Sequence, residues 1–186
     1  MVNYKTILAD PPWLERGAGK IKRGADRHYP LMKTDDIIKY MKQIPIDDNA
    51  HLYLWTTNNF LKDGLRVVEE LGFRYVTNVV WVKDRIGLGQ YLRGQHELCL
   101  FAVKGKVPYK IIDGKRVTES SVINAKRTKH SKKPDEIYSK VEHISYPPFL
   151  EVFAREQRDG WDRIGNEVEE TWDSNNKEIQ QSLLKV

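Results

Sequence analysis

A single cysteine stands among 186 residues, so no disulfide can form within the chain and a reducing, cytoplasmic setting is expected. Cys99 lies in the apolar run Leu98-Cys99-Leu100-Phe101-Ala102, where an inert core thiol is expected rather than a nucleophile. No apolar run approaches the ~20 residues of a membrane span, and Met1 to Ala9 is too short for a signal peptide, so no membrane attachment is expected. The five histidines (His28, His51, His96, His130 and His143) show no ligand spacing, which excludes the usual zinc patterns, and no metal is expected. Internal repeats and an interior linker are also missing. The expectation is one domain over residues 1–170 followed by a polar tail over residues 171–186, large enough to bury roughly 70% of its unfolded surface.

The charge is uneven where it is present. The formal net charge is +5, but from Lys104 to Lys133 ten basic residues face two acids, whereas from Glu151 onward nine acids face five bases. Such a basic stretch suits a surface that meets phosphate. A second basic stretch, Leu14 to Pro30, interleaves Gly17, Gly19 and Gly24 with Arg16, Lys20, Lys22, Arg23, Arg27 and His28. It is expected to form a lid that touches phosphates, with Tyr29 at its end closing over a bound ring.

The most informative stretch is Ile7-Leu8-Ala9-Asp10-Pro11-Pro12-Trp13. A short apolar run that reads as a buried strand ends in an acid, two prolines and a tryptophan, which strand interiors rarely tolerate. The prolines fix φ near −65° and remove two consecutive donors, leaving a rigid rim of carbonyl acceptors beside the Asp10 carboxylate. Trp13 adds an apolar face on which a ring can stack. Such a corner suits a planar group that carries an NH2. Adenine N6, cytosine N4 and a glutamine amide all meet that description.

Along the rest of the chain, strands and helices alternate. Tyr4 to Ala9 reads as a strand buried on both faces. A helix is expected from an N-cap at Thr34-Asp35-Asp36, with Ile37, Ile38, Met41 and Ile44 as its apolar stripe and Pro45 as its stop. His51 to Thr57 reads as a strand, and a helix capped by Asn58 or Asn59 runs to Leu71 with Gly72 at its end. Arg74 to Lys83 and Glu97 to Val103 read as further strands, with a short one at Val122 to Ala125. Pro134 opens a helix to about Glu142, and Phe149 to Ala154 is a last buried strand. The alternation argues for βαβ units and an α/β fold whose mixed sheet is mostly parallel.

The ordered series Asp10 to Trp13 (D-P-P-W), Tyr29 to Met32, Val80 to Lys83 (V-W-V-K), Gly94 to Leu100, Lys133 to Tyr138 (K-P-D-E-I-Y), Leu150 to Arg155 and Gly165-Asn166 resembles the DPPW-type adenine N6-methyltransferases, typified by the catalytic subunit of the eukaryotic mRNA methylation complex. The resemblance implies a Rossmann-like fold in permuted order and S-adenosylmethionine as cofactor. It implies that Asp10, Pro11, Pro12 and Trp13 form the catalytic rim, with Asp10 and the Pro11 carbonyl on the N6 amine. Asp10, Lys133, Phe153, Arg155, Asn166 and Glu167 would meet the cofactor. Tyr29, Glu97 and Lys133, with Lys20, Lys22, Arg23 and Arg27 of the basic loop, would meet the substrate. The glycine-rich turn usual after a cofactor strand is replaced by Ala154-Arg155-Glu156, a departure from ordinary cofactor-binding sequences.

DNA is the expected partner, because no RNA-binding module accompanies the domain, and RNA is the alternative. A second alternative is a non-catalytic nucleic-acid-binding paralogue of the same fold, and assembly as a homodimer or heterodimer is a further expectation. Without the resemblance, Trp55, Trp81 and Trp161 read as core residues, Glu97 as a buried structural acid and Lys133 as a solvated lysine.

Overall fold

The computed structural model describes residues 2–14, 31–87, 91–128 and 132–165. Its centre is strand β1, Tyr4–Ala9, in which every residue except Lys5 is buried. A helix α1 (Thr34–Met41) leads to strand β2 (Ile46–Thr56), and a 3-10 turn at Asn58–Phe60 precedes α2 (Leu61–Glu70). Strands β3 (Arg74–Val82) and β4 (His96–Lys104) follow, then a small hairpin of β5 (Ile111–Ile112) and β6 (Lys115–Arg116). The order ends with β7 (Val122–Asn124), helix α3 (Glu136–Ile144), β8 (Phe149–Val152) and β9 (Trp161–Ile164).

Seven of these strands form one sheet in the order β7-β3-β4-β2-β1-β8-β9. Four of its six pairings are parallel, and β4 alone runs against both of its neighbours. The sheet is therefore mixed and mostly parallel. The alternation of strand and helix breaks where β3 turns directly into β4, because the intervening residues lack a helical apolar stripe. β2 was expected with a later start, and β5, β6 and β9 were not expected. β2 begins at Ile46 rather than His51: α1 ends at Met41 with Lys42 as its cap, short of Pro45, and the Pro45 carbonyl accepts the Tyr4 N–H at 2.8 Å. β9 pairs in register with β8 from Phe149↔Trp161 to Val152↔Ile164, although Trp161-Asp162-Arg163-Ile164 alternates too briefly to announce a strand.

Strand alternation sorts the core into two layers. Ile7 and Ala9 of β1 join Leu52 and Leu54 of β2 and the apolar stripes of α1 and α2. Leu8 joins Tyr53, Trp55, Trp81, Cys99 and Trp161 under Ile137 and Val141 of α3. Burial of each such large side chain contributes about 1.5–3 kcal/mol, and Trp55, 1% exposed, is the largest fully buried one. Thr34 does not cap α1. Lys33 occupies the cap position, and the Thr34 hydroxyl donates instead to Asp63 of α2 at 2.6 Å, which ties the two helices of this layer together.

Strand order reverses at β1: the chain passes to β2 on one side and returns to β8 on the other. The crevice beyond the carboxyl ends of strands at such a reversal is where open α/β sheets hold ligands. Asp10 follows β1 at that point and Arg155 follows β8. Because β4 is antiparallel, Glu97 at its start lies at the same end of the sheet as Lys83 after β3.

Candidate active site

Asp10 continues the alternation of β1 beyond Leu8, toward the layer covered by α3. Its carboxylate oxygen Oδ2 is 2.8 Å from Lys133 Nζ and 3.8 Å from Arg155 Nη2. The other oxygen, Oδ1, accepts no hydrogen bond from the described residues, so one half of the carboxylate is held and the other is open. Asp10 is only 21% exposed, and an acceptor in that setting attracts a donor more strongly than it would in water.

Lys133 arrives from the segment before α3, where Pro134 is buried and sends its carbonyl to the Ile137 N–H at 3.2 Å. Its Nζ bridges Asp10 and, at 3.4 Å, Oε2 of Glu97. Burial favours the neutral amine, but the opposing charges of Asp10 and Glu97 raise its pKa above the ordinary lysine value. For Glu97, burial pushes the carboxyl up, yet Lys133 and Lys83 outweigh it and hold the group below its ordinary value. Both residues are therefore charged, and charges of alternating sign run from Lys83 through Glu97, Lys133 and Asp10 to Arg155. Lysine and glutamate at these positions carry no local signal in the sequence beyond the motifs they belong to. The pairing exists because β3, β4, β1 and the α3 entry meet at one end of the sheet.

The two proline carbonyls expected as bare acceptors each already accept a backbone hydrogen bond, and Trp13 is not placed as expected. The Trp13 N–H donates to the Pro11 carbonyl at 2.9 Å, and Pro12 accepts from the Met32 N–H at 2.8 Å, closing a bridge between Trp13 and Met32. One lone pair of the Pro11 carbonyl is thus engaged. The Trp13 indole does not offer an open stacking face: it is 8% exposed, packs on Phe60 with ring centroids 5.5 Å apart and donates its Nε1–H to the Trp55 carbonyl at 3.1 Å. A large apolar ring next to an apolar turn lowers its free energy by burial, so Trp13 anchors the rim from below.

Phe153 follows β8 with φ at 63°, the left-handed region that L-residues seldom enter. This is where a glycine-rich turn would normally bend, and here Phe153 makes the bend while stacking on Tyr40 of α1 at 5.1 Å. Gly165 comes back alongside: a Cβ there would lie 2.2 Å from the Ala154 carbonyl oxygen, so only glycine lets the ends of β8 and β9 approach this closely. Asn166 and Glu167, which follow it, lie outside the described residues. So do Lys20, Lys22, Arg23, Arg27 and Tyr29.

Glu151 of β8 was not singled out in the sequence. An acid inside the apolar strand Phe149-Leu150-Glu151-Val152 is a readable signal. Its Oε1 accepts from the Tyr138 hydroxyl at 2.8 Å, and the Arg158 guanidinium lies 3.7 Å above the Tyr138 ring. Burial first, and then the negative charge of Asp10, push its carboxyl up to about 7. Beside Lys133 a cavity of about 600 Å³ opens, lined by Lys126, Thr128, Lys132 and Pro134 among others. The described residues contain no group of histidine, cysteine and carboxylate side chains that could hold a metal.

The family model MT-A70 matches residues 4–167 of the chain. The chain is 28% identical over 179 residues to a putative N(6)-adenosine-methyltransferase MT-A70-like of Medicago truncatula, covering 89% of this chain and 26% of that protein. It is 29% identical over 180 residues to the N(6)-adenosine-methyltransferase catalytic subunit METTL3 of Homo sapiens, covering 89% of this chain and 28% of that protein. To the type II methyltransferase M.MunI of a Mycoplasma sp it is 29% identical over 191 residues, covering 89% of this chain and 78% of the relative. The chain thus spans about a quarter of the length of the plant and human relatives. Its mostly parallel sheet flanked by helices is of the Rossmann-like methyltransferase type. The match over residues 4–167 places the chain in the MT-A70 family of N6-adenine methyltransferases.

Proposed function

We propose that the protein transfers a methyl group from S-adenosylmethionine to the N6 amine of adenine in DNA. The observation that carries this reading is the divided Asp10 carboxylate: Oδ2 is fixed by Lys133 and Arg155, while Oδ1 points no lone pair at any described donor and lies next to the rigid Pro11-Pro12 carbonyls. An adenine amine has two N–H bonds and a lone pair delocalised into its ring. With one N–H on Asp10 and the other on the free lone pair of the Pro11 carbonyl, the nitrogen rehybridises and turns its lone pair out of the ring plane. S-adenosylmethionine, when bound, supplies an electrophilic methyl on a sulfonium.

The donor set suits that cofactor. Lys133 and Arg155 would be cations for its carboxylate, Asp10 would be an acceptor for its ammonium, and the Phe153 turn and Gly165 would shape the end of β8 for its nucleoside. Lys133 bridges the two halves of the site, because it touches Asp10 and Glu97 at once. Fixing these groups before the substrate arrives removes reorganisation from the reaction, and positioning then provides much of the rate. A target in a duplex has to leave the stack, at the least cost from single strands.

DNA is favoured by the similarity to a type II methyltransferase that the chain covers over 78% of its own length. RNA is the second reading, favoured by the relatives that are N(6)-adenosine-methyltransferases. Incubation of oligodeoxynucleotide and oligoribonucleotide pools with methyl-labelled S-adenosylmethionine, followed by digestion to nucleosides, separates them. Label in N6-methyldeoxyadenosine is expected, and label confined to ribo-N6-methyladenosine would replace DNA by RNA.

A further inference from the structure

Lys83, the residue after β3, has no role in the function proposed above. Its backbone N–H donates to the Gln95 carbonyl at 2.8 Å, which places it directly across from the entry to β4. Its Nζ lies 2.5 Å from Oε1 of Glu97 and 4.8 Å from the centroid of the Trp81 ring. That ring is itself fixed, because Trp81 Nε1–H donates to the Ala125 carbonyl at 2.8 Å. The ammonium is therefore located twice over, by a carboxylate in front and an aromatic face beside it. Lys83 and Glu97 are 18% and 17% exposed, so water screens the pair poorly.

This contact divides the Glu97 carboxylate in the same way that the Asp10 carboxylate is divided. Oε1 belongs to Lys83, and only Oε2 is left for Lys133, at 3.4 Å. Lys133 in turn sits 2.8 Å from Asp10, so it leans toward the catalytic rim rather than toward Glu97. We propose that Lys83 is a positioning residue, which by occupying Oε1 of Glu97 keeps Lys133 on Asp10 and Oδ1 of Asp10 open. The proposal rests on the methyl-transfer reading above. Without Lys83 the Glu97 carboxylate has one cation instead of two and turns both oxygens to Lys133. Lys133 is then drawn off Asp10, and the acceptor meant for the amine is free to rotate.

The charged groups facing Glu97 are Lys83 from β3 and Lys133 from the segment before α3, with Asp10 after β1 and Arg155 after β8 beyond Lys133. Removing the Lys83 charge takes away one of the two cations that offset the burial of Glu97. Protonation of Glu97 then begins at higher pH, with the same loss of aim at Lys133.

The test compares wild type with Lys83→Met and Lys83→Arg on random-sequence oligodeoxynucleotide and oligoribonucleotide pools with labelled S-adenosylmethionine. For Lys83→Met, kcat is expected to fall about 10- to 100-fold with the KM for S-adenosylmethionine little changed, and the acid limb of the pH profile is expected to move to higher pH. Lys83→Arg restores most of kcat and returns the limb. If methionine is not tolerated, Lys83→Gln keeps a neutral donor on Glu97 and is expected to show the same displaced limb. A variant that folds, turns over and keeps the wild-type pH profile overturns the proposal alone. A wild type that methylates neither pool overturns the reading of the function and the proposal with it.

Discussion

Two polar clusters lie on the α3 side of the sheet, a buried one toward the amino end of β1 and a half-buried one toward its carboxyl end, and they are built on opposite rules. Toward the amino end of β1, the Thr6 hydroxyl donates to the Tyr146 carbonyl at 2.7 Å, and Ser145 Oγ lies 2.8 Å from both His51 Nδ1 and the Tyr53 hydroxyl. Every member is neutral: burial, aided by Lys110, lowers His51 to about 4, and burial raises the Tyr53 phenol far above its usual range. At the carboxyl end, charges alternate in sign from Lys83 through Glu97, Lys133 and Asp10 to Arg155, and one oxygen of Asp10 accepts from none of the described residues. Neutral hydrogen bonds that close on themselves stabilise a core, whereas a charge chain with an open acceptor costs desolvation and is retained at sites that bind something. The difference supports the proposal that the carboxyl end is the working end of the sheet, independently of any relative.

The sharpest way to break this contrast is Asp10→Ala. Methyl transfer is expected to fall by at least about 10³-fold, while the thermal midpoint changes little, because Lys133 still has Glu97 as partner. Turnover within tenfold of wild type would remove Asp10 from the catalytic rim. Lys133→Met comes next. It leaves Asp10 and Glu97 facing each other with Lys83 and Arg155 as the remaining cations among the described residues, so about 3 kcal/mol of stability is expected to be lost, together with roughly 10²-fold in kcat/KM. Urea denaturation and steady-state kinetics on one preparation check both numbers. Loss of stability without loss of activity would make the carboxyl-end cluster as purely structural as the amino-end one.

How far each end was legible follows from the same chemistry. β1, β3, β4, β8 and the two helices of the first layer were readable because apolar periodicity and the stops at Pro45 and Gly72 act locally. Asp10-Pro11-Pro12-Trp13 stood out because the residues themselves forbid a continuing strand. The antiparallel run of β4 was not readable, since a buried strand has the same pattern in either direction. The role of Trp13 was misjudged for a similar reason: an aromatic beside an acid looks the same whether its ring faces a ligand or Phe60. Glu97 and Lys133 were legible only through the family motifs, because their pairing depends on residues 36 positions apart meeting across strands. His51 and Ser145 left no trace, being 94 positions apart.

Proton linkage distinguishes the two ends further. His51 has its pKa lowered from 6.5 to about 4, so between those values the unfolded chain binds a proton that the folded chain refuses. Its contribution is complete above pH 6.5 and is lost as the pH falls toward 4, amounting to up to about 3 kcal/mol. Glu151, near Asp10, is raised from 4.5 to about 7 and has the opposite sign: the folded chain keeps a proton that the unfolded chain releases, so stability falls as the pH rises from 4.5 to 7. The two slopes oppose each other in the wild type. In His51→Phe, stability by urea denaturation is expected to decline from pH 4.5 to 7, and in Glu151→Gln to climb over the same range. Parallel curves for the two variants would contradict the assignment of the ends.

The smallest effect is expected from Thr6→Val. Thr6 is fully buried and its only departure from valine is the hydroxyl that reaches the Tyr146 carbonyl. Replacing it keeps the shape of β1 and leaves one carbonyl without that donor, which costs about 1 kcal/mol. The urea midpoint is expected to drop with an unchanged slope, because the same surface is exposed on unfolding. Methyl transfer is expected to stay at the wild-type rate, since Thr6 lies in β1 and Asp10 just after it without a shared side-chain partner, and effects at sites without shared partners add. A fall in kcat would mean that strain at the amino end of β1 travels along the strand to the Asp10 carboxylate. The two clusters would then form one coupled device rather than a scaffold and a site.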